Sequence, residues 1–209
     1  MNTTADEIGG PDLTALLAVT TPTTEHLAAL HARLEAAAES ADVLDVAYTA
    51  IDTPVGSLLL AATPRGLVRV AYEREGHDLV LETLARRISP RILRSPRRLD
   101  DAAREINEYF AGLRTRFDLP LDYSLSTGFR HLVHRHLSDI AYGHTETYQQ
   151  VAMLVGNPKA VRAVGSACAT NPLPVVVPCH RVLRTDGTLG GYVGGTEAKT
   201  TLLTLEHAA

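Results

Sequence analysis

The stretch Val175-Val176-Val177-Pro178-Cys179-His180-Arg181 organises the reading of this 209-residue chain. Three β-branched residues read as a strand, and Pro178, which has no ladder donor, stops it. The pattern therefore predicts that Cys179 is delivered to an edge or rim. A thiol is a strong nucleophile only as thiolate, and adjacent imidazole or guanidinium groups lower its pKa. His180 and Arg181 are such neighbours in sequence. The competing reading is a buried cysteine that packs as a small hydrophobe.

Downstream, the chain turns at Thr185-Asp186-Gly187 and runs through Gly190-Gly191-Tyr192-Val193-Gly194-Gly195. This is no phosphate loop, because Thr196-Glu197 follow where Lys and Ser/Thr are required. A closely approached pocket wall, with Tyr192 offering a flat face, fits better. A helix over about 196–206 can return Glu206 towards His180, giving a Cys-His-Glu arrangement in which the carboxylate orients the imidazole. A surface carboxylate at a frayed helix end is the alternative for Glu206.

Upstream, Phe129, Leu132, Val133, Leu137 and Ile140 predict a helix over about 126–141. Thr147 with Gln150 three residues on has the form of a capping box, opening a helix over 148–155 that stops at Gly156. Asn157-Pro158 then reads as N-cap and first-turn proline of a helix to about Ala169. Two helices across a tight turn suggest a helix-turn-helix. In the second helix, Val161, Val164 and Cys168 share a stripe expected to face the core. Arg162, Gly165, Ser166 and Ala169 form a nearly bare outer face from which one cation protrudes, suited to close approach to a DNA groove. An ordinary surface helix fits that face equally well.

Towards the N-terminus, residues 1 to about 22 read as a loose leader, and 24–40 as an amphipathic helix on Leu27, Leu30 and Leu34. Residues 46–51, 57–62 and 67–72 read as strands of an antiparallel meander, separated by two Thr-Pro-x-Gly turns. Helical spacing returns over 76–88. The segment Arg86 to Arg98 holds six arginines and no acid, and is expected to be a solvated helix end and loop rather than a phosphate-contacting arm. A helix from Ser95-Pro96 to about Gly112 and an extended piece over 117–122 complete this part. The expected fold is α+β. Residues 1–44 form a leader and helix, 45–122 a small antiparallel-sheet domain with helices, and 123–209 a mainly helical domain with the helix-turn-helix.

Composition narrows the class. An apolar content of 45% with 21% charged residues is ordinary for a soluble globular protein, and no stretch approaches a membrane span. The polar, acidic N-terminus lacks the basic region of a signal peptide, so a cytoplasmic protein is expected. Cys168 and Cys179 are the only cysteines, which excludes a stapled fold. His131, His134 and His136 are expected on a solvated helix face rather than around a metal. The net charge of -4 is uneven: residues 1–127 carry -6 and residues 128–209 carry +2. The positive half permits a phosphate-bearing partner.

Asn157-Pro-Lys-Ala160 with Arg162-Ala-Val-Gly165, Asn171-Pro-Leu-Pro174, Pro178-Cys-His-Arg181 and Gly190-Gly-Tyr192 with Gly194-Gly195, in this order, resemble the O⁶-alkylguanine-DNA alkyltransferase family. The match is dense from about Thr145 to Glu206, and a weaker echo runs from Thr53 to Tyr72. The resemblance implies a monomeric, base-flipping repair protein that acts on double-stranded DNA containing O⁶-alkylguanine. It would move the alkyl group irreversibly to its own cysteine. By position, Cys179 is the acceptor, His180 its base through a water, Glu206 the group orienting that histidine, and Asn171 the brace of the turn. Arg162 would fill the gap left by the flipped nucleotide, with Gly165 and Ser166 beside it on the DNA face. Tyr148 would rotate and bond the base, and Val182, Tyr192, Val193 and Gly194 would line the pocket.

Two departures from the family pattern stand out. Val193 replaces a serine that some members use at the leaving oxygen. The N-terminal half has no cysteine for the zinc site some members carry, so no zinc and no other cofactor is expected. Cys168 is expected to pack. Two further readings compete: a non-catalytic damage-binding protein of the alkyltransferase-like type, and a Cys-His-Glu hydrolase unrelated to DNA.

Overall fold

The computed structural model describes residues 22–207. The leader expected over 1–22 lies almost wholly outside them. The described residues fall into two compact units, divided between Asp42 and Val43. In the first, helix α1 spans Thr24–Ser40, as its spacing predicts, and Thr23 Oγ1 caps it by accepting from the His26 N–H at 3.2 Å. Leu27, Leu30 and Leu34 are exposed.

The second unit opens with the meander: β1 (Val46–Thr53), β2 (Gly56–Thr63) and β3 (Gly66–Tyr72), each antiparallel to the next. The turn residues act through specific contacts. Thr53 Oγ1 accepts from the Val55 N–H and donates to the Gly56 carbonyl, closing the first turn. Gly66 has a φ of +132°, and a Cβ there would lie 2.2 Å from the Pro120 carbonyl oxygen, so only glycine fits. Val46, Leu59, Ala61, Val68 and Ala71 pack against Val80 and Leu84 of α2 (His77–Arg87). Leu58, Leu60 and Val70 are buried as well. With both faces covered over most of their length, β2 and β3 read as nearly continuous apolar runs.

The sheet departs from the expected antiparallel design. β4 (Ile92–Arg94) adds to β1 in parallel, giving a mixed sheet of order β3-β2-β1-β4. The arginine-rich segment is therefore in part a sheet edge rather than a solvated loop. Arg91 forks onto Asp45 at 2.7 and 2.8 Å, and Arg98 donates to the Leu44 carbonyl. Three residues are too short to show alternation, and arginines mask the pattern. A turn at Pro96–Leu99 leads into α3 (Asp100–Phe110). The extended piece around Pro120 lies along β3: Leu67 N–H donates to the Pro120 carbonyl, and Asp122 N–H to that of Leu67, both at 2.8 Å.

The remainder is mainly helical. α4 spans Gly128–Leu137, shorter than expected at both ends, and leaves Leu132 exposed. The histidines on it are not a solvated face. His134 is buried, with Nδ1 2.6 Å from Ser126 Oγ and Nε2 2.8 Å from the Ala167 carbonyl oxygen, and His136 meets Glu146. Burial lowers the His134 pKa. The Thr147–Gln150 capping box forms as read, opening α5 (Tyr148–Leu154).

α6 spans Val161–Ala169, starting later than the Asn157-Pro158 signal suggested. Those residues instead close a turn in which the Ala160 N–H donates to the Asn157 carbonyl at 2.9 Å. Val161, in the first turn, is exposed, while Val164 and Cys168 are buried. A two-residue parallel pair, β5 (Glu146–Thr147) with β6 (Val182–Leu183), ties the start of α5 to the segment after Cys179. α7 spans Gly195–Leu205. Among the described residues, no helix is long and apolar enough to cross a membrane.

Candidate active site around Cys179

Val175 to Val177 form a buried turn, not a strand: Val175 is left-handed at φ +72°, and the Val177 N–H returns to the Leu173 carbonyl at 2.7 Å. Pro178 then leads into a single 3₁₀ turn, Cys179–Arg181. Cys179 is thus not on a rim; it is 2% exposed. An apolar tripeptide cannot reveal this, because a buried turn and a buried strand need the same residues.

Asn171 organises the turn. Its Nδ2 donates to the Val177 carbonyl at 2.8 Å and to Cys179 Sγ at 3.2 Å, and its Oδ1 accepts from the Leu173 N–H at 3.0 Å. Burial pushes the Cys179 thiol up to about 11, against which the Asn171 amide and the Lys199 charge favour the thiolate. Lys199, on α7, is fully buried and donates from Nζ to the Val182 carbonyl at 2.6 Å. Sequence reasoning missed it and assigned the cationic role to Arg181. The signal was present: Lys199, Leu202, Leu203 and Glu206 recur at i, i+3, i+4 and i+7, one face of a helix.

Glu206 is buried rather than frayed, and one carboxylate gathers donors from three side chains. Oε1 accepts from Tyr109 Oη at 2.6 Å, His180 Nε2 at 2.9 Å and Arg181 Nη2 at 2.9 Å, while Oε2 accepts from Arg181 Nε at 2.8 Å. Arg181 also donates to the Ile140 carbonyl, so its charge serves the carboxylate and not the thiol. Because an ionised carboxylate only accepts, His180 Nε2 carries its hydrogen and Nδ1 holds the basic lone pair. That Nδ1 is buried without a hydrogen-bond partner among the described residues. Burial lowers the His180 pKa, keeping the ring neutral and able to take a proton. Tyr109, on α3, has no sequence signal linking it to a carboxylate 97 residues away.

The glycine-rich segment packs as a wall. A Cβ at Gly190 would lie 2.2 Å from the Tyr148 hydroxyl, and one at Gly194 would lie 2.5 Å from the Tyr72 ring. Burial raises the Tyr148 phenol to about 12. The Tyr192 ring stands edge-on to His180 at 6.3 Å between centroids. Val182 is buried directly after the thiol turn, and its carbonyl accepts from Lys199 Nζ. Val193 lines a groove of about 430 Å³ together with Arg69, Glu75, Pro172 and Asn171, the residue that bonds the thiol. Arg162, Ser166 and Ala169 are exposed on α6, Gly165 is half-buried, and a Cβ added to Gly165 would meet nothing within 4 Å. Cys168 is buried, and burial pushes its thiol well up, as suits packing.

Fold and site together define an α+β protein built around a buried cysteine, an asparagine that holds it, and a histidine–glutamate pair. Residues 46–123 match the family model for the 6-O-methylguanine DNA methyltransferase ribonuclease-like domain, and residues 128–208 that for its DNA binding domain. The chain belongs to the 6-O-methylguanine DNA methyltransferase family. It is 36% identical over 160 residues to the methylated-DNA–protein-cysteine methyltransferase of Methanosarcina barkeri, covering 77% of this chain and 96% of that protein. It is 39% identical over 161 residues to the constitutive enzyme of that name from Bacillus subtilis, covering 77% and 94%. A crystal structure of a Mycobacterium tuberculosis relative in complex with DNA superposes with a TM-score of 0.67 at 36% identity, over 78% of this chain and 93% of that one.

Proposed function

We propose that the protein is a methylated-DNA–protein-cysteine methyltransferase that repairs O⁶-alkylguanine in duplex DNA by direct reversal, with Cys179 as the acceptor. The observation that carries this reading is the Asn171–Cys179 contact beside the His180–Glu206 pair, in a chain 36–39% identical to enzymes of that name. The thiol proton leaves towards His180 Nδ1. The Sγ–carbon bond forms as the carbon–O⁶ bond breaks, and the departing guanine takes up a proton, so no cofactor is consumed. The thioether has no route back, which makes the protein a single-use reagent.

The target oxygen is unreachable inside a duplex, so the nucleotide must be extruded first. Helices α5 and α6 act as a helix-turn-helix, with Arg162, Gly165 and Ser166 at the DNA, Arg162 occupying the vacated stack, and Tyr148 turning the base. Val182, Tyr192, Val193 and Gly194 receive it. Cys179 is 2% exposed, so its surroundings must give way to admit a purine, and the 190–194 wall is the segment assigned that movement in this reading. The same reading makes the protein a cytoplasmic monomer with a leader and helix over 1–44, a sheet domain over 45–122 and an acceptor domain over 123–209.

Intact-mass measurement after incubation with an O⁶-methylguanine duplex tests this directly. One methyl group per chain is expected, on Cys179, with none on Cys179→Ala. Lasting binding with no mass gain, or continuing turnover, would refute it. Arg162→Ala is expected to slow repair of the duplex about tenfold or more, the scale of an unstacking cost of a few kcal/mol, while free O⁶-benzylguanine reacts as before. Equal losses on both substrates would remove Arg162 from the extrusion step.

A further inference from the structure

Tyr72 ends strand β3 in the sheet half of the chain, yet its side chain lies among the groups of the thiol site. It is 2% exposed. Its hydroxyl is 3.0 Å from that of Tyr192, and the two rings meet edge to face at 5.8 Å between centroids. Gly194 rests directly on the Tyr72 ring, with no space for a side chain. The backbone N–H of Tyr72 donates to Glu75 Oε1 at 2.8 Å, and Glu75 pairs with Arg69. Arg69 Nη1 and the Val70 N–H both donate to the Pro172 carbonyl, at 3.2 and 2.9 Å.

One strand therefore grips both sides of the site. On one side it holds Pro172, next to the asparagine that bonds Sγ. On the other it holds Tyr192 and Gly194, the wall assigned above to move as a base enters. A hydrogen bond and a ring contact, both from outside the acceptor half, thus tie that wall to a rigid sheet.

We infer that Tyr72 is a positioning residue that sets the size of O⁶ substituent the Cys179 site accepts, by fixing how far the Tyr192–Gly194 wall can retreat. The inference rests on the alkyl-transfer reading above. A small methyl group reacts fastest when the wall is seated, because the seated wall holds the carbon in line with Sγ. A bulky group needs the wall displaced, and loosening it costs such a substrate nothing.

The test compares rate constants for uptake from duplexes carrying O⁶-methylguanine or O⁶-benzylguanine, for the wild type, Tyr72→Phe, Tyr192→Phe and the double variant. Phenylalanine keeps both rings and removes only the shared hydroxyl bond. Methyl uptake by Tyr72→Phe is expected to fall about fivefold, the scale of one neutral hydrogen bond, while benzyl uptake holds or rises. Tyr192→Phe should behave alike, and the double variant should fall no further, because both changes delete one interaction. An unchanged benzyl-to-methyl ratio, equal losses on both substrates with a lowered melting temperature, or additive losses in the double variant would each overturn the inference. A wild type that takes up neither group would instead sink the activity itself, so the two failures are distinct.

Discussion

Glu206→Ala is expected to lower the melting temperature by roughly 10 °C or more and to end alkyl uptake. The carboxylate is the common acceptor for Tyr109, His180 and Arg181, all buried. Removing it strands a guanidinium, a phenol and an imidazole without their partner, and breaking a buried ion pair from one side costs about 3–5 kcal/mol. Burial alone would raise the Glu206 carboxyl, but hydrogen bonds from His180 and Arg181 outweigh it and hold the group at about 2, against an ordinary 4.5.

A carboxyl held low in the folded state adds stability at every pH above its unfolded value. That contribution, roughly 3 kcal/mol, fades as the pH falls from 4.5 towards 2. His180 acts in the same direction. Burial disfavours its protonation, so stability is also lost as the pH drops below its ordinary 6.5. Thermal melts stepped down in pH check this: the gap between wild type and Glu206→Gln should close in acid. Curves that stay parallel to pH 2 would mean the ionised carboxylate is not what holds the cluster.

Lys199→Met is expected to separate activity from stability. The ammonium is completely buried, and burial lowers its pKa, so the folded state bears a desolvation cost for it. A methionine of similar length removes that cost, and hydrophobic replacement of buried charge is often neutral or stabilising. The same charge favours the Cys179 thiolate. Without it the thiol rises above about 11, and each further unit of pKa cuts the thiolate fraction about tenfold. Methyl uptake should therefore slow by about tenfold or more, with the melting temperature unchanged or higher. A variant that melts much earlier but reacts at the wild-type rate would show Lys199 to be structural only.

The two variants fail differently because the two charges answer to different partners. Glu206 completes a closed set of hydrogen bonds, whose loss leaves several groups unsatisfied at once. Among the described residues Lys199 Nζ bonds the Val182 carbonyl, and the charge otherwise acts through its field on sulfur.

What the linear chain determined on its own was local. The helix over Thr24–Ser40, the meander with its Thr-Pro-x-Gly turns, the Thr147–Gln150 capping box and the motif run from Asn157 to Gly195 depend on propensities and spacings a few residues long. Tertiary structure decided what depends on distant partners. It added β4 to the sheet edge, turned Val175–Val177 into a buried coil, and withdrew His134 from solvent into a bond with Ala167. It also gave Arg181 to Glu206 and the thiol's favourable charge to Lys199, and brought Tyr72 across to Tyr192. A charged or aromatic side chain has the same local preferences whichever partner it meets. Which partner it meets is set by packing between segments as much as 120 residues apart, as Tyr72 and Tyr192 are, and no short window of sequence contains that distance.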